Sequence, residues 1–149
     1  MKRFWKKSVS LFVAVVLLSM AIAIPANAVD NRSSLYLSAY RAWLTPCSGG
    51  EIAVNIDVQA VGEMDDVGAL SVKIYESSDG GTTWSNPRTY YSVMYPELVQ
   101  HDTVIYYETP IYHDGTPGYK YYAIVKVYAG DQTGSDSREY QTTTVTARN

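Results

Sequence analysis

The chain has 149 residues, with 12 Lys+Arg against 15 Asp+Glu, a formal net charge of −3, one cysteine and 14 tyrosines. A lone cysteine excludes an intramolecular disulfide, so the fold must rest on burial. The acidic balance speaks against a nucleic-acid partner, whose phosphates need clustered Lys and Arg.

At the N-terminus, Lys2, Arg3, Lys6 and Lys7 precede an apolar run from Val9 to Ile24, closed by Ala26-Asn27-Ala28. This is the layout of a secretory signal peptide. The run falls short of the roughly 20 residues that a bilayer span needs, so cleavage after Ala28 is expected rather than retention as an anchor. Val29 stands where a lipid-carrying cysteine would be needed, and the tail TTTVTARN has no hydrophobic wall-sorting segment. The expectation is a signal peptide over 1–28 and a secreted, extracellular domain over 29–149, without membrane attachment. Residues 29–149 keep 8 Lys+Arg against 15 Asp+Glu, a formal charge of −7.

Beyond the signal, period-two alternation dominates and no helical repeat is sustained. Ile52, Val54, Ile56, Val58 and Ala60 alternate with Glu51, Ala53, Asn55, Asp57 and Gln59, which predicts a half-buried strand. Similar patterns predict strands over Ser34 to Leu44, Ala69 to Glu76, Arg88 to Met94, Thr103 to Ile111, Tyr119 to Ala129 and Ser137 to Thr146. Leu35, Leu37 and Ala39 share one phase and Ala42 and Leu44 the other, which predicts a bulge or a crossing between sheets in the first strand. Turn formers punctuate the gaps: Pro46 with Ser48-Gly49-Gly50, Asp79-Gly80-Gly81, Asp114-Gly115 with Pro117-Gly118, and Gly130-Asp131 with Gly134. Gly62 to Gly68, GEMDDVG, reads as a loop or one helical turn, with Met64 and Val67 plugging the end of the core. Seven short strands with such punctuation predict an all-β, antiparallel sandwich or barrel.

Between the third and fourth expected strands lies SSDGGTTW, Ser77 to Trp84. It fits the Asp-box pattern S-x-D-x-G-x-T-W, and so resembles a motif of sialidase-like propellers and of some unrelated extracellular β-proteins. In such a box the Asp accepts hydrogen bonds from turn amides, a Gly adopts a conformation barred to residues with Cβ, and the Trp packs over the hairpin. Those structural roles fall to Asp79, Gly81 and Trp84. A sialidase would need several copies, an arginine cluster and a tyrosine nucleophile. This chain has one copy and scattered arginines, so the motif reads as a hairpin turn.

The run PGYKYYAIVKVYA, Pro117 to Ala129, resembles the sixth strand of fibronectin type III domains. The resemblance places Tyr121 at the tyrosine-corner position, its hydroxyl bonded to backbone in the preceding turn, with Ala123, Val125, Val127 and Ala129 facing the core. Together with GEMDDVGALSVKIYESSDGGTTW and the Ser/Thr-rich last strand, most of residues 34–147 also resembles a family of small secreted proteins of Gram-positive bacteria, of unknown function. That likeness implies a seven-stranded immunoglobulin-like (fibronectin III-like) sandwich, and no activity.

Other candidate chemistry is thin. His101-Asp102 and His113-Asp114 bracket one strand and sit on the order of 30 Å apart by strand rise, too far to share an ion. Asp65 and Asp66 are candidate calcium ligands, set against a solvated acidic loop. Cys47, beside Pro46, reads as a small turn or edge residue rather than a nucleophile, since no base accompanies it; pairing between chains is the other use open to it. No acidic residue lies in an apolar run that would raise its pKa for glycosidase action. No catalytic residue, metal or cofactor is assigned, and a small hydrolase would require a deep polar pocket, which is not expected.

Binding is the stronger expectation. The non-core phase of the strand over Tyr119 to Ala129 holds Lys120, Tyr122, Ile124, Lys126 and Tyr128, and Lys73 and Tyr75 extend that surface if the third strand lies alongside. Aromatic rings interleaved with Lys suit a glycan or a surface protein, against ordinary cross-strand Tyr/Lys pairing on a wet sheet. The leading expectation is a non-catalytic extracellular adhesion or ligand-binding module using this face. The alternative is a structural, self-assembling protein pairing through an edge strand, with TTTVT as the candidate edge.

Overall fold

A strand buries every second side chain, and Ile52, Val54, Ile56, Val58 and Ala60 are each no more than 2% exposed. Each fully buried Val or Ile among them contributes about 1.5–3 kcal/mol. The computed structural model that contains this strand describes residues 34–149. The signal peptide expected over 1–28 lies outside the described residues.

The described chain is all-β, with no α-helix among the described residues. Its strands are β1 (Leu37–Pro46), β2 (Ile52–Ser77), β3 (Arg88–Tyr91), β4 (Val99–His113), β5 (Lys120–Asp131), β6 (Gly134–Gln141) and β7 (Val145–Thr146). Single 3-10 turns occur at Ser48–Gly50 and Pro96–Leu98. All seven strands pair antiparallel in one hydrogen-bonded sheet of order β1-β2-β5-β6, with β3 and β4 also on β2 and β7 on β5. β2 changes partners along its length. Residues 52–60 lie between β1 and the end of β4, residues 64–68 pair with the start of β4, and residues 66–77 pair with β5 and, over 71–74, with β3.

Both halves of β2 feed one apolar cluster, which joins Ile52 to Val58, Val67 to Ile74 and the inward residues Tyr121, Ala123, Val125, Val127 and Ala129 of β5. β1 and β6 stand at opposite ends of the hydrogen-bonding order, yet Tyr40 meets Tyr140 edge to face at 6.2 Å.

GEMDDVG is strand and not a loop or helical turn, so two expected strands are one. Pairing outweighs its loop-like composition. Met64 lies opposite Thr103 and Asp66 opposite His101, so β4, longer than expected, satisfies this backbone. Met64 and Val67 point into the core while Glu63 and Asp65 stay exposed. Gly68, at φ 154°, lets β2 pass the Leu98 carbonyl, where a Cβ would collide. The expected last strand is in turn divided. β6 ends at Gln141, and Thr142 breaks off to bond Ala123 through both its N–H and its hydroxyl before β7 resumes. β3 is shorter than expected, because Ser92–Met94 turn away. β1 has a register shift between Leu37 and Ala39, earlier than the change expected after Ala39, so Ala39 is exposed and the inward phase passes from Leu37 to Ala42 and Leu44.

Met64→Ala is expected to cost about 2–5 kcal/mol in urea unfolding, and Asp65→Ala less than about 0.5. Equal, negligible effects of both would show that the segment is not a buried strand.

Candidate functional site

The β2–β5 register decides which side chains share a face. Lys73 lies opposite Ile124, Tyr75 opposite Tyr122 and Ser71 opposite Lys126, while Tyr128 follows on the same phase of β5. All six residues Lys73, Tyr75, Tyr122, Ile124, Lys126 and Tyr128 are therefore on one outward face, each half-buried. Tyr75 and Tyr122 stack face to face, with centroids 4.7 Å apart and planes 6° apart. Trp84 meets Tyr122 at 4.6 Å and 80°. Burial and the neighbouring Tyr75 push the Tyr122 phenol above its ordinary value.

Trp84 arrives there because the SSDGGTTW turn is locally determined. Asp79 Oδ1 accepts from Thr82 N at 3.0 Å and Thr83 N at 2.9 Å, and from the Ser77 hydroxyl at 2.7 Å; its Oδ2 accepts from the Thr83 hydroxyl at 2.6 Å. The Ser77 hydroxyl in turn accepts from Gly81 N at 2.8 Å. Gly81 takes φ 98°, a conformation that costs a residue with Cβ more than glycine, and a Cβ there would touch Trp84 at 3.6 Å. The Thr83 hydroxyl, followed by the other donors, holds the Asp79 carboxyl well below the usual carboxylate range. The hairpin joins the end of β2 to β3 and lays its indole on the tyrosine pair.

A second site, not anticipated from the sequence, lies at the inward end of the same strands. Ile74, Glu76, Ser85, Asn86, Arg88, His113 and Asp114 line a polar cleft of about 220 Å³. The buried His113 bonds the Tyr90 hydroxyl through Nδ1 at 2.9 Å and packs its ring on Tyr121 at 5.7 Å. Tyr121 OH accepts from Thr116 N at 2.8 Å and donates to Glu76 Oε2 at 3.3 Å. The Arg88 guanidinium lies 5.5 Å over the Tyr90 ring. No buried side-chain N or O among the described residues lacks a partner. His113 Nε2 makes no bond among them, so it opens to the cleft. Burial, then the nearby Arg88 charge, holds the His113 imidazole below its ordinary value, and it is neutral at neutral pH. Ser85 lines the same cleft but accepts from Glu76 N and donates to Asn86 O, so its proton is not offered to His113.

The other candidates disperse. His101 Nδ1 pairs with Asp66 Oδ1 at 2.5 Å, far along β4 from His113. No group of three or more metal-ligating side chains converges among the described residues, Asp65 and Asp66 included. Cys47 is a free, half-buried thiol after β1, directed at the Thr45 carbonyl. On the remaining outward surface, Arg41 lies over Trp43 at 5.1 Å and Trp43 meets Tyr107 at 6.1 Å, beside exposed Ile105 and Tyr112. Alternation in β1 and β4 offered a signal for that patch, but only pairing through β2 brings it together.

Two outcomes follow from these bonds. Because the native His113 value is depressed below 6.5, its contribution to stability is present above pH 6.5 and is lost as pH falls toward the native value. Thermal unfolding between about pH 7.5 and about pH 5 should therefore show a smaller loss for His113→Gln than for the parent; an unchanged slope contradicts the assignment. Asp79→Ala should speed amide exchange at Thr82 and Thr83 while leaving Val125 protected, and in the parent this protection should persist well below pH 3.8.

No protein-family model matches the chain and no curated protein is significantly similar to it.

Proposed function

We propose that the chain is a secreted, non-catalytic binding module with a fibronectin III-like sandwich fold, engaging an extracellular ligand through the Lys73, Tyr75, Tyr122, Ile124, Lys126 and Tyr128 face. The single observation carrying this reading is the β2–β5 register, which assembles these six side chains into one continuous surface. Aromatic side chains interleaved with cations supply contact area and directional polar groups together.

The sandwich reading draws on three features. β2 pairs with β1 over residues 52–60 and with β5 and β3 over its second part, as though passing between two layers, while β4 runs beside it from Ile52 to Gly68. The buried residues of both parts of β2 share one cluster, and Tyr40 reaches Tyr140 across the ends of the strand order. The Tyr121 hydroxyl bonds the Thr116 amide of the preceding turn, the bond a tyrosine corner requires. The likeness to small secreted proteins of Gram-positive bacteria belongs to the same reading. A non-catalytic role agrees with the engagement of Ser85 away from His113.

The second reading, self-assembly, is favoured at a different edge from the one first expected. The Thr142–Thr146 tail already covers β5. Among the described residues β4 pairs with β2 alone, and it carries Val104, Ile105, Tyr107 and Tyr112, all more than 40% exposed. Pro110 and two register shifts blunt that edge.

Glycan and surface-protein arrays probed with the protein and with Tyr122→Ser/Tyr128→Ser should show binding that the double variant loses, with far-UV dichroism confirming its fold. Undiminished binding by the folded variant rejects the face. Light scattering that finds concentration-dependent oligomers, abolished by Tyr107→Lys, would favour the β4 reading instead.

A further inference from the structure

We infer that the ligand of the β2–β5 face is an anionic polysaccharide held by Lys73, Lys120 and Lys126, an inference that rests on the reading of that face as a binding surface. Residues 29–149 contain three lysines. All three fall on this face, since Lys120 and Lys126 share the outward phase of β5 with Tyr122 and Ile124, and Lys73 lies opposite Ile124. In a segment of formal charge −7 this is segregation of charge, not its average.

Among the described residues these cations are also uncommitted. The ion pairs among the described residues use Arg41, His101 and Arg138. Each lysine is half-buried, and a partly desolvated ammonium without a partner gains more from an incoming anion than one fully in water. Glu139 stands opposite Lys126 without forming an ion pair, and is the one acid in that cross-strand row.

Geometry narrows the ligand class. Lys120 and Lys126 are six residues apart on β5, about 20 Å by strand rise, with Lys73 alongside the interval between them. A row of that length suits an extended chain of repeated charges, whereas a compact anion needs converging donors. The clefts of about 220, 260 and 370 Å³ are lined by other residues. Stacking of neutral sugars needs bare ring faces, yet Tyr75 and Tyr122 cover one face of each other and Trp84 crowds Tyr122. A protein partner needs prominent apolar anchors, and on this molecule four of the exposed large apolar side chains, Val104, Ile105, Tyr107 and Tyr112, lie on β4 instead. What this face offers is charge and phenol hydroxyls, which match acidic sugars.

The test is binding of the protein to immobilised polygalacturonate, with neutral dextran and poly-glutamate as the other arms. Binding to polygalacturonate should weaken with salt. Lys73→Gln, Lys120→Gln and Lys126→Gln should each weaken it about fivefold, the order expected of one lysine at an anionic surface. Glu139→Gln should strengthen it, an effect no purely structural role predicts, and these variants should keep the parent's thermal midpoint. Equal binding to dextran, tighter binding to poly-glutamate, or no binding to polygalacturonate overturns the inference, as does oligomerisation of the protein that the Lys→Gln variants abolish. If Tyr122→Ser/Tyr128→Ser loses an array ligand that all the Lys→Gln variants retain, the face binds but its ligand is not anionic. If no variant of either set changes any binding, the face itself is wrong.

Discussion

A 26-residue strand exposes backbone donors and acceptors along two edges, and their satisfaction organises the described chain. No single neighbour is long enough to cover β2. The strand therefore recruits β1 along its first part, β3 and β5 along its second, and β4 from Ile52 to Gly68 with a register break between Gln59 and Met64. That division sends Ile52 to Val58 and Val67 to Ile74 into a common core from different stretches of sheet. Without a disulfide among the described residues, this shared burial is what holds the strands together.

The same pairing creates a polar seam where β2, β3, β4 and β5 end near one another. Tyr90, His113, Tyr121 and Glu76 come one from each of these strands and are linked by hydrogen bonds and ring contacts. Buried polar groups are costly when unpaired, and among the described residues no buried side-chain N or O of this seam lacks a partner, His113 Nε2 being open to the cleft. The seam also anchors the Thr116 turn through Tyr121, which fixes how β5 enters the sheet. Because β5 supplies the outward row from Lys120 to Tyr128, the inward seam positions the outward surface.

The Asp79 turn acts on that surface from the other end. Its bonds are local, within four residues of Asp79, so the turn forms from its own sequence. Its consequence is not local, since it delivers Trp84 onto Tyr122 and leaves the tyrosine pair clasped. A motif that resembles a sugar enzyme's box thus shapes the proposed binding face by removing bare aromatic surface from it. What stands out on the face is then its lysines.

The amino-acid sequence by itself determined whatever depends on neighbours along the chain. The inward phase of Ile52 to Ala60 and of Tyr121 to Ala129 follows from the two-residue period of a strand, and the Asp79 turn follows from side-chain acceptors facing nearby amides. Tertiary structure decided whatever depends on partners far away. GEMDDVG has the composition of a loop and becomes strand only because β4 and β5 supply its hydrogen bonds from more than thirty residues on. Tyr90 and His113 are 23 residues apart, and no local period signals that they meet. Lys120 and Lys126 were visibly in phase on β5, but Lys73 joins them only through the β2–β5 register. Cross-strand pairing is long-range, and a slip of one residue would turn that lysine to the other face.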